Sequence, residues 1–400
     1  MRSPTGQAAA EAEPQSAHAS FNARAMYFFY YMAIGAFLPF ISLYYEHLGL
    51  SGTQIGVLLA LPTLAASAAT LAWGVLADAL HWHRGLFRVA LLLSPLAILG
   101  LSRAAGSSIL VAIVLLYAFV SAPILPLLDS AALEVSASRQ GSYGDLRVWG
   151  TFGWAVSTWL MGALIQRFGL PWQFYGYAVF MAVMFIASLF QSPRLEVLRT
   201  SLRTGLQALV SRPGFLLFLL SLFVLTMTTG GVNYFFSLYL EGIGAGEATI
   251  GLAWTLAAVS EVPIMLWSGS LIRRIGATGL LAIAFGTYAL RWLLYSFIAT
   301  PWLALTVQLL HGLSFAAFLM GAVNYMGRRA PPGLGTSAQA MFNAVAFGIG
   351  PFAGGLLVGY LYDHAGMPAL FRILCLLVLT GFVVFWASTR AAGERVFQHE

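Results

Sequence analysis

The second half of this chain repeats the first. Leu43, Tyr44, Glu46, Gly49, Ile55, Gly56 and Gly74 return as Leu238, Tyr239, Glu241, Gly244, Ile250, Gly251 and Gly269, at a constant offset of 195 residues. Gly162, Gly169 and Pro171 return as Gly359, Gly366 and Pro368, at an offset of 197. Of the residues, 60% are hydrophobic and 8% charged. So few charges cannot cover a soluble protein of this length, so lipid must be the solvent for most of it. An apolar chain with a repeat of half its length predicts two related helical bundles, an architecture that belongs to carriers above all.

The net charge of +6 does not point to nucleic acid, because the arginines gather in short connections between apolar runs. The single cysteine, Cys375, excludes an internal disulfide framework and a Cys-based metal site, and reads as a small core residue. No close histidine pair with acidic partners suggests a metal, and no cofactor is expected beyond a proton gradient as energy source. Residues 1–22 read as a disordered cytoplasmic tail, with residues 391–400 as a second tail.

A span needs roughly 20 apolar residues. Runs of that order fall near 24–45, 53–80, 86–103, 108–137, 144–166 and 172–191, forming a first bundle over 23–191. A second set falls near 214–240, 248–272, 277–298, 301–327, 334–362 and 367–389, forming a bundle over 213–390. The predicted fold is therefore an all-α integral membrane protein of twelve transmembrane helices in two pseudo-symmetric six-helix bundles. Arginine asymmetry places both termini in the cytoplasm, since the other face carries little beyond Arg103 and Arg167. The stretch 192–212 is an inner linker, either an amphipathic helix on an anionic leaflet or a simple tether.

The loop after span 2 carries Gly74-Val-Leu-Ala-Asp78 and then Arg84. It resembles, in part, the gate signature of the major facilitator superfamily, with His81, Trp82 and His83 interrupting the pattern. In that reading Gly74 lets helices approach, and Asp78 caps a helix and pairs with arginine. Tyr143-Gly-Asp-Leu-Arg147-Val-Trp149-Gly, Glu261-Val-Pro263, Arg291-Trp292 and Gln308-Leu-Leu-His311-Gly look like the phenylpropionate-transporter-like branch, which is related to lactose permease and the nucleoside–proton symporters. The resemblance covers about residues 24–390 and says little about the substrate.

A charge at mid-bilayer costs about 2.5–3.5 kcal/mol on insertion scales and needs a partner or a cavity. Asp129 and Glu134 lie in the inner half of span 4, and Arg147 starts span 5. The resemblance implies that Asp129 and Arg147 contact the substrate and that Trp154 stacks on its ring. The alternative is an Asp129–Arg147 bridge fastening the two spans. The resemblance also implies substrate binding and proton coupling by Glu261 in span 8, Arg291 in span 9 and His311 in span 10. One departure stands out: Ser314 occupies the position of a proton-carrying carboxylate in lactose-permease-like carriers, and Gln308 that of a lysine. Glu261 is thus the first candidate for the proton and His311 the second. In the first repeat, Ala66 is the equivalent of Glu261. Tyr30, Tyr31 and Asn233 are further cavity candidates. Asn324, Gln339 and Asn343 line the cavity or form interhelical hydrogen bonds.

These readings predict a non-enzymatic secondary transporter of the bacterial cytoplasmic membrane, monomeric, without nucleic-acid partners. It is expected to couple protons to the symport of a small organic solute, an aromatic carboxylate first. A sugar or nucleoside, or an efflux role, stays open. A membrane-embedded enzyme or a solute sensor has less support, because no reacting constellation or signalling domain is evident.

Overall fold

An apolar segment in lipid must satisfy its backbone hydrogen bonds internally, and helices do so within one segment. The computed structural model describes residues 4–80, 82–104, 106–139, 143–190, 213–330, 334–391 and 393. Among them there are helices and no strands, and ten helical stretches are long and apolar enough to cross a membrane. The helices are α1 Pro4–Phe37, α2 Ile41–His47, α3 Gly52–Leu80, α4 His83–Leu101, α5 Ser107–Ser121, α6 Ile124–Arg139, α7 Tyr143–Phe168 and α8 Trp172–Leu189. The second half follows with α9 Pro213–Gly242, α10 Glu247–Tyr295, α11 Pro301–Gln308, α12 Ala317–Arg329, α13 Gly335–Asn343 and α14 Gly350–Ala391. One-turn π segments at Gly312–Ala316 and Ala344–Ile349 interrupt the later spans.

Two of these helices are broken within. Gly276 (φ 72°, ψ 165°) divides α10, and Gly366 (φ 72°, ψ 161°) divides α14. Each half of either helix then accounts for one of the expected spans. Two of the glycine pairs that recur through the repeat sit at such reversals. Gly49 and Gly244 pair at φ 78° and 92°, and Gly169 and Gly366 at 92° and 72°. Only glycine enters this region freely, which explains why both halves retain it.

Two expectations are corrected. Helix α1 begins at Pro4, inside the segment expected to be an irregular tail, because its Ala- and Glu-rich stretch favours helix and continues into the span. Around Gly74 no close helix approach is made. Among the described residues nothing comes within 4 Å of a Cβ built there. Arg84 is exposed near the start of α4. The side chain of Asp78, the linker 192–212 and nearly all of the 391–400 tail lie outside the described residues.

By contact the chain forms two compact units. The first holds Met1–Leu38 and Ala65–Leu198, the second Pro39–Leu64 and Arg199–Glu400. In the first unit α1 packs chiefly on α7 and α8. A Cβ at Gly153 of α7 would collide with the Phe28 carbonyl, and Ser157 donates to the Met32 carbonyl at 2.6 Å. This close crossing of α1 and α7 sets Tyr27 and Tyr31 beside Arg147.

In the second unit α9 packs most heavily on α14. The seam is again glycine: a Cβ at Gly354 would collide with the Met227 carbonyl, and one at Gly231 with Val358. A core of rings from Phe236, Tyr239, Trp254, Tyr295 and Phe371 binds α9, α10 and α14 together.

Candidate functional site

Each unit buries one group of ionisable side chains. In the first, Asp129 of α6 does not bridge to Arg147, which corrects that alternative. Its Oδ1 accepts the Tyr27 hydroxyl at 2.5 Å and the Tyr143 hydroxyl at 3.0 Å. Tyrosines from α1 and from the first turn of α7 thus take the carboxylate oxygen in place of the arginine. Arg147 instead donates Nη2–H to the Tyr31 hydroxyl at 2.5 Å. Its guanidinium lies 4.2 Å from the Tyr31 ring centroid and 5.8 Å from that of Tyr27. Among the described residues no carboxylate pairs with Arg147. Cation–π contact with tyrosine contributes on the order of 0.5–2 kcal/mol and does not neutralise the charge.

Two other predicted residues border this group. Tyr30 meets Tyr31 edge-to-face at 5.1 Å. Trp154 lies two turns beyond Arg147 on α7, half-buried, with its carbonyl against Gly35 of α1. Glu134 is exposed. Tyr143 belongs to a motif by sequence and Tyr27 to an aromatic run of the first span; nothing in their spacing signals that they take Asp129.

In the second unit Glu261 and His311, two of the three residues that the resemblance implicates there, come into contact. His311 Nε2 lies 3.3 Å from Glu261 Oε1. The pair depends on a π turn that starts just after His311. Gly312 donates its N–H to Ser260 Oγ at 2.8 Å, and a Cβ at Gly312 would collide with the Ser260 carbonyl. Single π turns recur at functional sites because they re-aim side chains within an otherwise regular helix. Phe315 stacks on the His311 ring at 5.5 Å, and His311 Nδ1 is buried without a partner.

Arg291 is 3% exposed and has no carboxylate partner among the described residues. Its Nη1 donates to Ser314 Oγ at 2.7 Å and its Nη2 to Gln308 Oε1 at 2.8 Å, while its Nε has no partner. Gln308 also accepts the Tyr295 hydroxyl at 2.7 Å. The two residues that depart from the lactose-permease-like pattern are therefore the two that hold the arginine. The rings of Tyr288, Trp292 and Tyr295 surround it at 5.3–5.8 Å.

The weaker candidates fall away from these groups. Asn233 is exposed and makes no hydrogen bond among the described residues. Asn324 donates to Met320 O, and Gln339 to Asn343 Oδ1, each within its own helical stretch. Interhelical bonds there are not formed.

The MFS_1 like family model matches residues 21–373. A maltose permease of Geobacillus stearothermophilus is 31% identical over 376 residues, covering 92% of this chain and 95% of the relative. A probable 3-phenylpropionic acid transporter of Escherichia coli (strain K12) is 26% identical over 364 residues, covering 88% and 93%. The solved structure of the nucleoside transporter NupG superposes with a TM-score of 0.82 at 18% identity, covering 94% of this chain and all of the other, which establishes the shared fold. The chain belongs to the MFS_1 like family of the major facilitator superfamily and is a multi-pass membrane transporter.

Proposed function

We propose that this transporter is a proton symporter for a small aromatic carboxylate, working by alternating access in the bacterial cytoplasmic membrane with both termini inside. One observation carries the reading: among the described residues each unit holds a sheltered arginine that makes no direct ion pair with a carboxylate, its guanidinium bonded to neutral partners. A guanidinium sheltered from water and bonded only to neutral groups is costly, and a substrate carboxylate relieves it through a forked pair of hydrogen bonds. Tyrosine and tryptophan rings beside both arginines suit an aromatic solute. A relative named for 3-phenylpropionic acid supports the same substrate class.

The proton is assigned to the Glu261–His311 pair. A carboxyl and an imidazole 3.3 Å apart exchange one proton with little motion, and both neutralise the site when it is shared. Arg291 is held by neutral Ser314 and Gln308 and stays available to the substrate. A sugar is the second reading, because a relative at 31% identity is named a maltose permease and Asp129 keeps acceptor capacity toward hydroxyls.

Proteoliposomes with an imposed proton gradient distinguish these. Accumulation of 3-phenylpropionate, abolished when the gradient is collapsed, is the expected result. Accumulation of maltose with no uptake of the acid would replace the first reading by the second.

A further inference from the structure

Two opposite charges share one cluster in the first unit and stay apart. Tyr27 and Tyr31 are a turn apart on one face of α1, and Tyr143 and Arg147 a turn apart on one face of α7, about 5.4 Å along each axis. The two faces meet in layers. In one layer the Tyr27 and Tyr143 rings pack edge-to-face at 6.4 Å, and both hydroxyls donate to Asp129 Oδ1, at 2.5 and 3.0 Å. In the next layer Arg147 lies 4.2 Å from the Tyr31 ring centroid and donates to its hydroxyl. Tyr27 joins the layers, since its ring centroid is also 5.8 Å from the guanidinium carbon. Gly150 leaves space for the second layer. A Cβ there would come within 2.6 Å of the Tyr31 ring and 2.9 Å of Arg147 Nη1.

A carboxylate and a guanidinium that touch the same side chain attract each other strongly where water is scarce, and their usual arrangement is a forked ion pair. Among the described residues neither Asp129 nor Arg147 has a charged partner; each is bonded to neutral hydroxyls. Hydroxyl bonds to an ionised carboxylate are charge-assisted, which offsets part of the missing pair. The separation leaves an arginine that a third carboxylate can take. With Asp129 on Arg147, an acid substrate would have to break a close charge pair before it could bind, at a cost in affinity.

We propose that Tyr27 and Tyr143 are positioning residues that set substrate specificity: by holding the Asp129 carboxylate they keep it off Arg147, and the guanidinium stays open to the carboxylate of an acid. This rests on the aromatic-acid reading above and gives a role to two tyrosines which that reading leaves unassigned. Without their hydroxyls Asp129 turns to Arg147, the ion pair closes, and the site loses its preference for an acid.

Calorimetry with 3-phenylpropionate on the purified full-length transporter tests this by comparing two backgrounds. Tyr27→Phe combined with Tyr143→Phe deletes two hydroxyls, keeps both rings, and should weaken binding of the acid at least about tenfold. In an Asp129→Asn background the same two substitutions should cost less than about twofold, because no carboxylate remains to compete. An equal loss in both backgrounds would mean that the tyrosines act by packing, and would overturn the proposal. Undiminished affinity of the double variant would do the same. So would an Asp129→Asn background that no longer binds the acid, since Asp129 would then be a ligand itself. Should the double variant fail to fold, Tyr27→Phe and Tyr143→Phe singly carry the same comparison, with a smaller loss expected only while Asp129 is present. A parent that binds maltose and not the acid overturns the aromatic-acid reading itself. A loss independent of Asp129, in a parent that does bind the acid, overturns this proposal alone.

Discussion

Gly312 shows how much of the second-unit site depends on one missing methyl group. Its N–H reaches Ser260 Oγ, and its bare Cα lets the π turn settle on the Ser260 carbonyl, which brings His311 to Glu261. Gly312→Ala should overpack this crossing and destabilise the protein by about 1–3 kcal/mol, read as a lowered Tm of purified protein. Arg147 and Glu261 carry the functional predictions at this scale. Arg147→Lys should weaken binding of an aromatic acid at least tenfold, because an ammonium cannot present a planar fork; unchanged affinity by calorimetry would leave the arginine with a packing role. Glu261→Gln should retain counterflow exchange but lose accumulation under a proton gradient. Undiminished uphill uptake by that variant would move the proton elsewhere.

Helices in this protein approach each other through glycine and reverse through glycine, and the two uses respond differently to substitution. At the α1–α7 and α9–α14 crossings, glycine removes bulk so that backbones touch. At Gly276 and Gly366 it supplies a backbone conformation with φ 72° and ψ above 160°, where a side chain is strained. Gly366→Ala is expected to cost about 1–3 kcal/mol although nothing crowds its Cβ position, and the loss should appear in thermal unfolding. Proline near these reversals plays a smaller part. Pro62, Pro95 and Pro263 lie inside helices that continue through them, as membrane helices allow when neighbouring groups meet the freed carbonyls.

The whole chain sorts into units that do not follow its own repeat, since Pro39–Leu64 belongs by sequence to the first half and by contact to the second. The proposed orientation has a direct check. A thiol reagent that cannot cross the membrane should label Arg103→Cys in intact cells and Arg84→Cys only after permeabilisation, both in a Cys375→Ala background. The reverse pattern would place the termini outside. The all-helical membrane fold, the carrier architecture and the presence of charges such as Glu261, Arg291 and His311 inside apolar runs were legible in the chain itself, because lipid exacts a long apolar run for each crossing and makes each charge inside one conspicuous. The partners of those charges were not legible. A hydrogen bond is settled over a few tenths of an ångström between helices far apart in sequence. Only the packed α1–α7 crossing could give Asp129 to Tyr27 and Tyr143 and turn Arg147 to the Tyr31 hydroxyl. In the same way, the recurrence of glycines was written in the sequence, but that Gly56 meets Gly355 and Gly359 backbone to backbone was decided by packing.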